Sequence, residues 1–217
     1  MKYSKELRKE KTFIYEDLSF NLEKEFAYQT VVESFCEYDK DYFNKYVKME
    51  NTDIANSIND FRTNISQKYC NSILDIGVGS GEFIKKSQIK MYGYDINEYG
   101  IKWLKDNNLF LDPYKSDISC IEGLTFWDSL EHFYEPSEIL NIIPIGKYAF
   151  ISMPVFDNIL NIKKSKHYRP NEHLSYFTTK GLIIFLENLG YDIIEISDKE
   201  TKAGRFEIMT FVAKKVT

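Results

Sequence analysis

The run Ile73-Leu74-Asp75-Ile76-Gly77-Val78-Gly79-Ser80-Gly81-Glu82-Phe83 carries the sharpest chemical signal in this chain. An apolar strand enters a glycine-rich turn, and an amphipathic helix follows. Glycines let the backbone turn sharply and let a ligand lie against bare main chain. The first N–H groups of the following helix suit a carboxylate or another anion. The spacing is G-x-G-x-G, whereas dinucleotide sites carry G-x-G-x-x-G; Glu82 and Phe83 follow Gly81, and no glycine closes that longer pattern. Asp75 stands just before the turn, at a strand end where a purely structural corner has no use for a charge. A second acid, Asp95, closes the run Tyr92-Gly93-Tyr94-Asp95, 18 positions after Gly77. An acid at the tip of a second strand can accept hydrogen bonds from both hydroxyls of a ribose. Its structural alternative is to cap the next helix, a role Asp fills well.

Three histidines, His132, His167 and His173, fall after the fourth and fifth candidate strands. That is the edge where open α/β sheets bind ligands. Imidazole is the side chain best matched to proton transfer near neutral pH. His173 and His132 are therefore the candidate bases, ahead of His167, with structural hydrogen bonding as the alternative. No tight spacing such as H-x-x-x-H supports a metal centre, and none is expected. The run Lys163-Lys164-Ser165-Lys166-His167-Tyr168-Arg169 is the one dense basic stretch. Arg169 could clamp a carboxylate or phosphate through two parallel hydrogen bonds; a solvated loop is the other reading.

The elements that must position these residues fall into two regimes. Residues 1–68 contain neither glycine nor proline and scatter Phe13, Tyr15, Phe20, Phe26, Tyr28, Phe35, Tyr38, Tyr42, Phe43 and Tyr46 at roughly helical intervals. Absent breakers and amphipathic spacing predict a helical cap, a lid over the site. From residue 69 to 217, short apolar runs alternate with amphipathic stretches, the pattern of a parallel α/β sheet. Strands are expected at Ser72–Ile76, Lys90–Tyr94, Leu109–Leu111, Glu122–Trp127, Lys147–Ser152, Asp192–Ser197 and Phe206–Ala213. Helices are expected at Gly81–Ser87, Glu98–Asn107, Pro136–Ile143 and Thr178–Asn188. Only Asp198–Gly204 separates the last two strands, so they should form an antiparallel hairpin.

Bulk composition narrows the classes. A chain of 217 residues buries roughly 70% of its unfolded surface and needs no metal or disulfide staple. Cys36, Cys70 and Cys120 are odd in number and widely spaced, which predicts buried, reduced thiols. The net charge of −5 argues against a protein built to grip polyphosphate. The charged start, Met1-Lys2-Tyr3-Ser4-Lys5-Glu6, is not a signal peptide. No run reaches the ~20 apolar residues of a membrane span, so a cytoplasmic protein is expected.

The loop Leu74–Phe83, Tyr94-Asp95-Ile96, the stretch Asp128-Ser129-Leu130-Glu131-His132 and the terminal strand pair together resemble the class I S-adenosylmethionine-dependent methyltransferases. The resemblance runs from Ser72 to the C-terminus. D-x-L-E-H after the fourth strand, with Glu172-His173-Leu174-Ser175-Tyr176-Phe177-Thr178, is similar to the broad subgroup that includes the ubiquinone O-methyltransferases. The resemblance implies a Rossmann-like, seven-stranded α/β sheet with an antiparallel terminal hairpin, below the helical cap. It also implies S-adenosylmethionine as cofactor. Asp75, Gly77, Val78, Gly79 and Gly81 would face its methionine portion, and Asp95 with Ile96 its ribose. Asp128, Ser129 and Leu130 would flank the transfer region. An acid beside the adenine is expected from Asp112 or Asp117, with Asp112 favoured by position. Arg169 and Tyr176 are placed on the acceptor side.

The acceptor is expected to be the oxygen or nitrogen of a small molecule. Amino-group DNA methyltransferases carry D/N/S-P-P-Y/F after strand four, where this chain has Asp128-Ser129-Leu130-Glu131. Cytosine C5 chemistry needs a cysteine next to proline, and Cys120 lies between Ser119 and Ile121. A nucleotide or RNA acceptor is the second reading, with residues 163–169 as its electrostatic footprint. A cofactor-binding protein without turnover is the third, because fold and site are separable.

Overall fold

The computed structural model describes residues 13–30, 39–50 and 52–217. Its centre is β4 (Ser72–Ile76), buried along its whole length, as a strand covered on both faces must be. It pairs in parallel with β5 (Lys90–Tyr94) on one side and β6 (Gly123–Trp127) on the other. Next comes β7 (Tyr148–Phe156), parallel to β6. Then β10 (Ile208–Lys215) and β9 (Tyr191–Ser197) close that edge as the antiparallel pair. The expected strand at Leu109–Leu111 is reduced to one bridge, Phe110 against Gly93. The sheet thus keeps the seven-strand order of the expected fold.

Side chains alternate across this sheet with period two. Leu74, Ile151 and Phe211 pack on one face, while their neighbours Ile73, Phe150 and Val212 pack on the other. The first face is covered by α5 (Pro136–Asn141) and α6 (Thr179–Asn188). The second is covered by α2 (Asp53–Gln67), α3 (Glu82–Lys86) and α4 (Glu98–Asp106). The connection between β9 and β10 holds a short helix, α7 (Lys199–Lys202), where a plain loop was expected. Cys70 is buried as expected, but Cys120 is exposed. No helix among the described residues is long and apolar enough to cross a membrane.

The N-terminal third departs from an all-helical cap. The helices α1 (Lys40–Met49) and α2 are there. However, β1 (Phe13–Tyr15), β2 (Leu18–Asn21) and β3 (Phe26–Gln29) form an antiparallel meander. This meander pairs with β8 (Ser175–Thr178), a strand the sequence pattern did not suggest, and β8 runs parallel to the end of β7. The two meander turns place Glu16 and Glu25 at φ of 54° and 53°. Glycine usually fills such positions, so the turns left no trace in the sequence. The rest of the helical reading, with Phe35, Tyr38 and Cys36, lies outside the described residues.

The meander is keyed into the core at Gly181, in the first turn of α6. Thr178 caps that helix through Oγ1, which accepts from the Gly181 N–H at 2.9 Å. A Cβ on Gly181 would stand 2.1 Å from the Glu25 carbonyl oxygen. Alanine is favoured over glycine within a helix by up to about 1 kcal/mol, but overpacking against backbone typically costs about 1–3 kcal/mol. Gly181→Ala should therefore lower stability to urea unfolding; a gain would mean that the β2–β3 turn is not seated there.

Candidate functional site

A cavity of about 600 Å³ opens beyond the carboxyl ends of β4, β5 and β6. Its floor is the glycine loop, with Gly77, Val78, Gly79 and Ser80; its sides carry Asp75, Asp95, Ile96, Trp127, Asp128 and Ser129. The far end is formed by His132, Phe133, Tyr134, Asn171 and Glu172. Phe43 of α1 and Ala55, Ile58, Asn59 and Arg62 of α2 cover it.

Glycine at position 77 is required twice over. Its φ is 83°, and a Cβ there would meet the Ser129 Cβ at 2.9 Å. Gly81, by contrast, does not line the cavity; it starts α3 at φ 76° with the Trp103 ring 2.5 Å from where a Cβ would sit. That places it in the turn that starts α3. α4 is capped by Asn97, whose Oδ1 accepts from the Tyr99 N–H. Asp95 is therefore not the cap; it accepts from the Asn97 N–H at 2.8 Å and lines the cavity. Burial raises the Asp95 carboxyl against the opposing main-chain N–H groups of Asn97, Ile96, Gly79 and Val78. Asp75 is buried and accepts from Thr125 Oγ1 at 2.6 Å. Burial pushes its carboxyl up to about 7, with Thr125 and Arg62 opposing the shift.

Asp128 ends up in a network that sequence reasoning missed. Arg62 Nη2 and Arg205 Nη2 each donate to it at 2.8 Å. Burial would raise the Asp128 carboxyl, but the two guanidiniums hold it well below the usual carboxylate range. Arg62 also grips Glu200 through Nε at 2.8 Å and Nη2 at 2.9 Å, and Arg205 pairs with the same acid. The Arg62 guanidinium lies 5.0 Å from the centre of the Trp127 ring. The available signal was Arg62 itself: it sits with Ile58 and Ile65 on the buried stripe of α2, where an unpaired charge is not tolerated.

Other expected residues lie elsewhere. Leu130 is core. Neither Asp112 nor Asp117 lines the cavity. Asp112 accepts from the Tyr114 N–H at 3.0 Å and pairs with Lys115, and Tyr114 supplies that wall instead. Tyr176 is buried, donating from its hydroxyl to the His173 carbonyl at 2.7 Å, so it cannot touch an acceptor. Arg169 pairs with Glu172 at 3.2 Å outside the cavity wall. Lys163 of the basic run is taken up by Asp17 and Glu16 of the meander, which weakens that run as an electrostatic footprint. His167 Nε2 bonds the Phe206 carbonyl away from the cavity.

His132 faces the cavity, and His173 sits behind it, their ring centroids 4.9 Å apart. Burial lowers both; with His132 and Arg169 nearby, His173 falls to about 3. Burial and the neighbouring Asp128 drive the Glu131 carboxyl well above its usual range.

Residues 43–196 match the family model described as a methyltransferase domain. The chain belongs to that family. As a methyltransferase of this family it takes its methyl group from S-adenosylmethionine. Solved structures share the fold. One is the 1,6-didemethyltoxoflavin-N1-methyltransferase of Burkholderia thailandensis, with its substrate and S-adenosylhomocysteine bound; the TM-score is 0.58 at 13% identity, over 94% of this chain and 98% of that one. Another is a methyltransferase from Archaeoglobus fulgidus, with TM-score 0.55 at 21% identity over 80% and 99%. A possible histamine N-methyltransferase from Thermotoga maritima has TM-score 0.56 at 14% identity over 81% and 97%. No curated protein matches the chain. The methyltransferase cavity fits its cofactor by one further observation: Ser129 Oγ and Trp127 Nε1 are buried in its wall without a hydrogen-bond partner among the described residues.

Arg62→Met tests the network under the methyltransferase cavity. It leaves Asp128 and Glu200 to share Arg205 alone, and breaking a buried ion pair from one side costs about 3–5 kcal/mol. Urea unfolding should show a loss of that order. A loss below about 1 kcal/mol, the worth of an exposed pair, would place the network in solvent.

Proposed function

We propose that this methyltransferase methylates an oxygen or nitrogen of a small molecule entering between α2 and the segments around His132 and Asn171. The observation that carries this reading is the continuity of one cavity from the glycine loop and Asp95 to His132, beneath residues of α1 and α2. Bound there, S-adenosylmethionine supplies a methyl carbon already activated by its sulfonium. Asp95 and Ile96 hold the ribose, while Asp75 and residues 77–79 hold the methionine portion, with Ser129 and Trp127 as further hydrogen-bonding groups. Helices α1 and α2 form the lid and exclude water. Phe43, Phe133 and Tyr134 give the acceptor an apolar wall, and Asn171 and Glu172 give it polar anchors, the mixture that small-ligand sites commonly show.

Most of the acceleration comes from holding the acceptor in line with the methyl carbon. A hydroxyl acceptor must also lose a proton, and His132, kept neutral by burial, is the histidine placed to receive it. The heteroaromatic and amine substrates of the Burkholderia protein and of the possible histamine N-methyltransferase from Thermotoga support a small acceptor here.

Two measurements test the cofactor half. Calorimetry should show S-adenosylhomocysteine binding and no NAD binding, and Asp95→Ala should weaken the former by about 1–3 kcal/mol. NAD binding without a response to S-adenosylhomocysteine would overturn the proposal. The second uses Asp75, which keeps its proton up to about pH 7 in the free protein. A cation placed beside it favours the ionised form, so binding below that pH must release a proton, and affinity must rise as pH rises through 7. At about pH 6 the binding heat should then depend on the ionisation enthalpy of the buffer, and Asp75→Asn should abolish the dependence. Equal heats in all buffers would remove Asp75 from contact with the cofactor's charge.

A further inference from the structure

We propose that Glu131, His132 and His173 bind one divalent metal ion of the zinc type at the acceptor end of the cavity. Each offers one ligand atom, and the three atoms lie within 4.8 Å of one another. They come from two distant segments, the turn after β6 and the stretch leading into β8. The Leu174 N–H donates to the Glu131 carbonyl at 2.8 Å and fixes the two segments in register. The cluster is therefore set by backbone pairing and not by side chains meeting on a surface.

Glu131 is the residue that asks for a cation. Its side chain is only 2% exposed, and its Oε2 has no hydrogen-bond partner among the described residues. A buried carboxyl oxygen without a partner is costly. The neighbouring cations are already committed: Arg205 to Asp128 and Glu200, and Arg169 to Glu172. An ion held by Glu131 and two imidazoles would satisfy that oxygen.

The imidazoles are arranged for the task. The His167 carbonyl lies against the His173 ring and favours an N–H there, leaving the other ring nitrogen as the acceptor. Such an outer partner is the usual support of a metal-binding histidine. Two nitrogens and one carboxylate oxygen are a donor set that zinc accepts at about 2.0–2.2 Å. Donors of a tetrahedral site then stand about 3.4 Å apart, so the side chains must draw in by roughly an ångström. Three protein ligands leave one position open, as catalytic zinc sites do. His132 lines the cavity, which turns the open position toward the acceptor. With the ion present His132 would act through it: a hydroxyl oxygen held at the open position would pass its proton to water more readily, and would then take the methyl group from the sulfonium, leaving the thioether S-adenosylhomocysteine. Only this last step rests on the methyl-transfer reading.

The test uses the full chain freed of metal by a chelator, then titrated with Zn2+ by calorimetry and with Co2+ by visible absorption. One ion per chain is expected, with the intense cobalt bands of a four-coordinate site. Glu131→Gln and His173→Asn should each weaken Zn2+ by at least about tenfold, while S-adenosylhomocysteine binds as before. Absence of stoichiometric ion, or unchanged Zn2+ affinity in both variants, overturns the site and leaves the methyl-transfer reading standing. Should His173→Asn lose S-adenosylhomocysteine binding through misfolding, Glu131→Gln, which keeps the side-chain shape, decides the question.

Discussion

A half-buried carboxylate at the end of a parallel strand draws cations, and Asp128 takes two of them from opposite ends of the chain. Arg62 comes from α2 and Arg205 from the β9–β10 connection, with Glu200 completing the set. Two acids and two guanidiniums leave no net charge, but burying them gains little over an apolar filling. What the network supplies is geometry. Asp128 sits at φ 56°, a conformation that costs a non-glycine residue about 1–2 kcal/mol. Two hydrogen-bonded guanidiniums hold it there. The chain must then turn at once after β6, which brings Ser129 onto Gly77 and carries His132 into the cavity. The glycine loop, α2 and the His132 end of the cavity are thus referenced to one side chain.

The sheet explains why so much of the fold could be read directly. A strand buried on both faces reads as a largely apolar run, and β4 and β6, buried along their whole length, appear within a residue of their expected bounds, as do the more exposed β5 and β9. Gly77 and Asp95 were legible for a related reason. A bare backbone corner and a charge at a strand tip both violate what an interior strand requires, so they stand out. The residues that misled were those whose neighbours alone decide their role. Leu130 and Tyr176 share motifs with cavity residues yet face the core. Asp112 sits at the expected place but spends its carboxylate on the Tyr114 N–H and Lys115.

The meander was illegible because its turns are closed by glutamates. Glu16 and Glu25 take left-handed conformations that sequence reading reserves for glycine or asparagine. The meander's short strands also mix polar and aromatic residues at intervals that a helix of the same composition would show. Pairing with β8, from the far half of the chain, is what selects the extended form. A contact of that sequence separation cannot be read from a local window.

This pairing also reaches the wall of the cavity. Gln29 of β3 donates from Nε2 to Asn171 Oδ1 at 2.9 Å and accepts from the Asn171 N–H at 2.7 Å. Asn171 stands at φ 67° in the cavity wall, beside Glu172. A strand outside the residues matched by the family model, 43–196, therefore holds a cavity-wall residue in a conformation it would not choose alone. The glycine-loop side of the cavity combines bare main chain with the side chains of Asp75, Asp95, Trp127 and Ser129. The side around His132 and Asn171 is built from side chains whose supports lie in α2, in the turn after β6 and in the meander. The turn after β6 also touches the glycine loop, because Ser129 packs on Gly77, whereas the meander reaches the cavity wall through β8 and Asn171. The docking of the N-terminal strands on β8 therefore shapes the cavity wall at Asn171, outside the motif-bearing glycine loop.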